Sequence, residues 1–112
     1  MIRATTPKHM FIFDTDPTIY SKILITYQQN GQNILEKTKD DLSFEEVESP
    51  CTGETKFAAW FRLTQEESNK FKAGPGKQVI VQVRALTTDN EALASDKKTF
   101  NVQDVLNDEV LV

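Results

Sequence analysis

One cysteine, Cys51, is the chain's whole supply of thiol, so no disulfide can form within it, and a disulfide-dense secreted scaffold is excluded. Histidine is equally scarce, with His9 alone. A tetrahedral zinc site needs three or four Cys and His ligands in grouped spacing, which two residues do not supply. A Cys–His nucleophilic couple needs a third group to orient the base, and nothing in the spacing of His9 and Cys51 points to one. An exposed imidazole and a surface thiol are the expectation. No glycine-rich phosphate loop occurs either, since Gly74-Pro75-Gly76 contains a proline and reads as a turn. Catalytic, cofactor-binding and metal-ligating residues are therefore assigned to none of the positions, and no enzyme activity or cofactor is expected.

Long apolar runs are missing too. No stretch approaches the roughly 20 residues of a membrane-spanning helix, and residues 1–7 lack the apolar segment of a secretory signal. Basic residues are outnumbered, 13 Lys and Arg against 17 Asp and Glu, for a net charge of −4. An acidic surface repels phosphate backbones and anionic headgroups, so neither nucleic acid nor a membrane is expected as a partner. The chain is expected to begin its life in the cytosol.

What is present suits a small β domain. At 112 residues the chain fits one domain spanning residues 1–112, with residues 1–7 and 104–112 as candidate tails. Seven Phe residues compensate for a modest 38% apolar content, because each buried ring contributes about 1.5–3 kcal/mol. Alternation of apolar and polar residues predicts strands over residues 8–14, 18–28, 56–63 and 77–86. In the second, Ile19, Ser21, Ile23, Ile25 and Tyr27 share one face. In the third, Phe57, Ala59, Phe61 and Leu63 form the core face, with Ala58, Trp60 and Arg62 opposite.

Asn30-Gly31 is the sharpest local signal. A type I′ turn needs φ > 0 at both central residues, and its twist matches paired strands, so residues 27–29 and 32–34 are predicted as hairpin arms. Asp14-Thr15-Asp16-Pro17 reads as a solvated turn. Leu42 and Phe44 fit a short strand, after which residues 45–53 read as an acidic loop. Thr64-Gln65-Glu66-Glu67 has the spacing of a capping box and predicts one short helix over about residues 65–72, anchored by Phe71. Residues 92–102 are predicted to return as one partner strand to residues 77–86. The sum is a mostly β, antiparallel, two-layer immunoglobulin-like sandwich with one short helix.

Trp60 points away from the predicted core face, together with Arg62. With Tyr20 and Lys22, these two make the candidate partner-binding surface, since exposed aromatics beside cations suit a protein partner or a stacked sugar.

Several segments carry a resemblance: Leu63-Thr64-Gln65-Glu66-Glu67-Ser68, then Phe71, Gly74 and Gly76, then Val79-Ile80-Val81-Gln82-Val83-Arg84, and finally Ala92-Leu93-Ala94-Ser95-Asp96 and Phe100-Asn101-Val102. In order they resemble the capped-turn, strand and hairpin module of small phage and prophage proteins from tail or baseplate regions, and are similar to upper-baseplate N-terminal domains. Both ends, Arg3-Ala4-Thr5-Thr6-Pro7 and Leu106-Asn107-Asp108-Glu109-Val110-Leu111, resemble uncharacterised proteins of Firmicutes prophages. The resemblance implies a virion-associated assembly or adaptor protein, made in the host cytoplasm and carried into the particle. Its partners would be other tail proteins or copies of itself, in a homo-oligomer. It implies no catalytic residue. The alternative from the residues alone is a glycan-binding module that stacks sugars on Trp60 and Tyr20.

Overall fold

The Asn30-Gly31 turn folds as its residue types demand, with φ of 55° and 75°, and joins β2 (Lys22–Gln29) to β3 (Gln32–Thr38) in an antiparallel hairpin. The computed structural model describes residues 1–48, 53–74, 76–95, 97–104, 106 and 109–111. A bulge lies just beyond the turn: Gln28 pairs with Asn33 but Tyr27 with Leu35, so Ile34 is the extra residue. The slip brings Leu35 rather than Ile34 opposite Tyr27, on the buried face.

Two antiparallel sheets make the sandwich. β1 (Lys8–Phe13), β5 (Thr55–Arg62) and β4 (Ser43–Glu48) form the smaller, in the order β1-β5-β4. The larger runs β3-β2-β6, where β6 (Val79–Leu86) carries both β7 (Ala92–Ala94) and β8 (Lys98–Phe100) along its far side. The core lies between them: Ile23, Ile25 and Tyr27 from β2, Val79, Val81 and Val83 from β6, Ala59 and Phe61 from β5, and Leu63, Phe71 and Val102 from the connections. Tyr27 stands at its centre, with ring centroids of Phe71 at 5.8 Å, Phe100 at 6.2 Å and Phe61 at 6.3 Å, mostly edge to face.

Four sequence expectations are corrected. The second strand starts at Lys22 rather than residue 18, because Pro17–Ile19 form a 3₁₀ turn. Asp16 caps that turn, its carboxylate accepting from the Thr18 N–H at 3.0 Å and the Thr18 hydroxyl at 2.7 Å, and Pro17 brings the fixed φ of a first helical residue. Ile19, expected to share a strand face with Ile23, Ile25 and Tyr27, is consequently 59% exposed while those three are buried. The acidic segment from Glu45 is not a loop as far as Glu48, for β4 runs through it at the sheet edge. There Phe44 turns inward while the carboxylates reach water. Residues 49–52 of that expected loop, Cys51 among them, lie outside the described residues.

The helix, α1 (Gln65–Asn69), has the predicted capping box: the Glu67 N–H donates to Thr64 Oγ1 at 3.1 Å and the Thr64 N–H to Glu67 Oε1 at 3.0 Å. It ends before residue 72 because tertiary contacts take over. Phe71 is fully buried, and the next N–H, that of Lys72, donates to Oε1 of buried Gln29 at 2.7 Å. The Gln29 Nε2 donates in turn to the carbonyls of Lys72 at 2.6 Å and Lys77 at 2.7 Å. One amide thus holds the segment between α1 and β6 in place of helical hydrogen bonds.

The expected strand over 92–102 is split. Ser95 interrupts it, its hydroxyl accepting from the Val83 N–H at 3.0 Å where a backbone carbonyl would otherwise serve. Register slips accordingly, since Arg84 pairs with Ala94 but Val81 with Lys98, three steps along β6 against four on the returning chain. At the chain's ends, Ile2 forms a parallel bridge with Gln103, closed by Arg3 N–H to Gln103 O at 2.9 Å and Gln103 N–H to Met1 O at 2.8 Å.

Candidate functional site

Residues paired directly across antiparallel strands share a face. By that rule the outer face of the smaller sheet carries Lys8, Met10 and Ile12 from β1, Ala58, Trp60 and Arg62 from β5, and Ser43, Glu45 and Val47 from β4. Trp60 and Arg62 therefore sit together, as the alternation required. Trp60 is half-buried: the Lys8 ammonium lies 4.3 Å from its ring centroid, in a cation–π contact, and also approaches Glu45 at 4.0 Å. Arg62 donates to the Thr6 carbonyl at 3.3 Å.

The other two candidates lie elsewhere. Lys22 is on the outer face of the larger sheet, paired with Leu86. Tyr20 follows the 3₁₀ turn and packs its ring against Phe13, centroids 6.4 Å apart, with its hydroxyl 3.4 Å from that of Thr15. Phe13 pairs with Phe57 on the inner side of the smaller sheet, so Tyr20 and Trp60 belong to opposite faces of it. The four residues do not form one surface.

Met10 and Ile12 join Trp60 instead. They are 41% and 56% exposed, large apolar side chains at the free edge of the smaller sheet. Sequence reasoning passed over them because Met10-Phe11-Ile12-Phe13 is an unbroken apolar run, and parity within it is invisible until a partner strand shows which members face in. Phe11 and Phe13 do; Met10 and Ile12 do not. Ala58 loses all exposure between Ile12 and Glu45, its neighbours on either side.

The backbone of β1 is also open on one side. Leu63 N–H donates to Pro7 O at 3.0 Å, which places the odd-numbered residues of β1 in the bonded pairs with β5. The N–H and C=O groups of Lys8, Met10 and Ile12 then point along the edge. Among the described residues β1 pairs with β5 alone. The remaining edges are guarded. β4 carries Glu45, Glu46 and Glu48, β3 carries Glu36 and Lys37, and β7 and β8 have three residues each. Charge and shortness are the usual protections against edge pairing. β1, with Lys8 as its single charge, has neither.

Behind the β1 edge, where the two sheets part, a groove of about 450 Å³ runs between Phe11 and Phe100. His9 lines it, contrary to the expected exposed imidazole. Its ring is half-buried against Tyr27, Phe61 and Phe100, with centroids at 5.6, 5.9 and 5.7 Å, and its Nδ1 shares a 2.7 Å hydrogen bond with the Tyr27 hydroxyl. Burial, and then the nearby α-ammonium charge, lower the His9 pKa. Burial, and then the charge of Glu67, raise that of Tyr27 well above the ordinary phenol. A neutral imidazole against a phenol that holds its proton makes a packed hydrogen bond inside an aromatic cluster. At the opposite flank, Lys37 and Glu67 form a 2.5 Å ion pair over Phe61, tying β3 to α1.

Among the described residues no three or more His, Cys, Asp or Glu side chains gather closely enough to hold a metal ion, and no helix is long and apolar enough to cross a membrane. The chain matches no model of a known protein family, and no curated protein matches it.

Proposed function

We propose that this domain is a non-enzymatic assembly or adaptor module of a phage or prophage tail or baseplate, acting through protein–protein contacts made by β1 and the outer face of the smaller sheet. The observation that carries the contact surface is the pairing of exposed Met10 and Ile12 with an unguarded strand edge beside Trp60. Water-exposed apolar side chains next to free backbone donors and acceptors are what a partner strand uses, the backbone supplying affinity and the side chains selectivity.

Strand order supports the immunoglobulin-like reading. In such a sandwich one sheet holds strands A, B, E and D and the other C, F and G, with C′ added beside C in variable-type domains. β1, β5 and β4 take the places of B, E and D, and β3, β2, β6 and β7 those of C′, C, F and G. Strand A has no counterpart beside β1 among the described residues. The resemblance of the capped helix and following strands to tail and baseplate modules supports the particle as the setting. Many copies in a symmetric particle multiply a modest affinity.

Mass spectrometry of purified phage particles from a host carrying the gene tests the reading. The chain is expected in the particle at fixed stoichiometry, and a Met10→Lys variant is expected to be left out. Absence of the wild-type chain from the particles overturns the setting. Undiminished incorporation of Met10→Lys overturns the surface. A sugar platform would need Trp60 and Tyr20 on one surface, and no observation places them there.

A further inference from the structure

We infer that the free edge of β1 pairs with β1 of a second copy, antiparallel about a two-fold axis at Phe11, so that the smaller sheets of two domains join into one six-stranded sheet. This deepens the reading of β1 as a protein-contact edge and rests on it.

The occupant follows from self-complementarity. Antiparallel pairing through the edge-facing residues must match even positions with even ones, because Lys8, Met10 and Ile12 direct their N–H and C=O groups outward. With the axis at Phe11, Met10 lies opposite Ile12 of the other copy, and Lys8 opposite Asp14, each pair occurring twice by symmetry. Both exposed apolar residues thereby find an apolar neighbour. The charged residue at one end of β1 meets the opposite charge just past the other end. Asp14 is well placed for this, its side chain 88% exposed and held by Lys56 at 2.8 Å. On the inner face Phe11 meets its symmetry mate, and His9 meets Phe13, which extends the half-covered aromatic groove into a continuous layer. Pro7 does not interfere, because its carbonyl faces Leu63 and its missing N–H removes nothing from the outer edge.

Among the described residues no other edge offers such a match: on β3 the same parity rule keeps Glu36 from meeting Lys37. On β4, self-pairing would bring the carboxylates of Glu45, Glu46 and Glu48 together, and β7 and β8 are too short for a stable ladder. The second copy would take the place beside β1 that strand A holds in a complete immunoglobulin-like sandwich.

Light scattering coupled to size-exclusion chromatography over a concentration series, with Lys8 and Asp14 exchanged, tests the pairing. Wild type is expected to dimerise. Asp14→Lys sets like charges opposite each other twice and should weaken the dimer about tenfold. The double variant Lys8→Glu with Asp14→Lys restores opposite charges across the axis and should recover the dimer. It does so even though both residues lose their partners within the chain, Glu45 and Lys56, so recovery cannot come from a better fold. A monomeric wild type, a dimer indifferent to Asp14→Lys, or a double variant without recovery each overturns the inference. Incorporation of Met10→Lys into particles is a separate measurement. Its exclusion alongside a monomeric wild type leaves β1 a contact edge for another protein, whereas its retention overturns the particle contact and leaves the pairing to be decided by the charge exchange.

Discussion

The two sheets of this domain treat their outer faces differently. On the larger one, β2 and β6 set Lys22, Thr26, Gln28, Gln82 and Arg84 among Leu24, Ile80 and Leu86, and of these three only Ile80 is exposed, at 37%. On the smaller one, β1 is apolar on both faces, burying Phe11 and Phe13 inward and leaving Met10 and Ile12 outside. Apolar residues set among charged and amide neighbours are screened from contact, whereas those beside an open strand edge add little to the folded monomer, which is the ground for the contact proposed at β1.

The contrast is sharpest in paired isoleucine truncations. Ile25 is fully buried on β2, and Ile25→Ala should cost about 2–5 kcal/mol, the range for emptying a packed core position. Ile12→Ser on β1 should stay within about 0.5 kcal/mol in the monomer, as surface changes do. Urea denaturation at a concentration low enough to keep the chain monomeric measures both. Equal losses would mean that the β1 face is covered within the monomer.

Gln29→Ala comes next. It removes three hydrogen bonds to the segment between α1 and β6, leaving the Lys72 N–H and the Lys72 and Lys77 carbonyls without that partner. A loss of about 1–3 kcal/mol is expected for polar groups stranded in the interior. Amide exchange should show the Lys72 N–H losing protection before those of β2 and β6.

The smallest effect is one of pH and concerns the groove side of β1. His9 is held neutral in the folded chain, while the unfolded chain takes up the proton near the ordinary value of 6.5. Protons bound preferentially by the unfolded state destabilise the fold, so stability should decline as pH falls below about 6.5. Glu67 acts in a different window. Burial raises its pKa, but the hydrogen bonds from Lys37 and Thr64 outweigh that and hold it below the usual 4.5, so its contribution is lost only in more acid solution. Thermal unfolding of His9→Gln should therefore lose less stability than wild type as pH falls through about 6.5. Unchanged slopes would show that His9 titrates as freely folded as unfolded.

Local chemistry was legible wherever one residue type has one physical use. Asn30-Gly31 set a turn because few other pairs accept two positive φ angles, and Thr64 with Glu67 set a helix start because their side chains complete each other's backbone. Alternation through Ile23, Ile25 and Tyr27, and through Val79, Val81 and Val83, put each set on one face, and the structure shows those faces buried. The candidate surface was legible only in part: Trp60 and Arg62 were found by parity, but Met10 and Ile12 were hidden in an apolar run, and Tyr20 and Lys22 were grouped with residues on another face. His9 and Gln29 carried no signal at all. Their roles depend on Tyr27, Phe100, Lys72 and Lys77, which are distant in the chain.

From its order of residues alone, this chain was bound to be a β-rich domain with a tight hairpin at Asn30 and a capped turn at Thr64, because backbone sterics and period-two burial act over a few residues. Which strands became edges, how far the helix ran before Gln29 captured Lys72, and which apolar side chains of β1 were left facing water were decided only by tertiary structure. Those outcomes turn on which groups meet across the sandwich, and no short stretch of sequence contains both partners of such a contact.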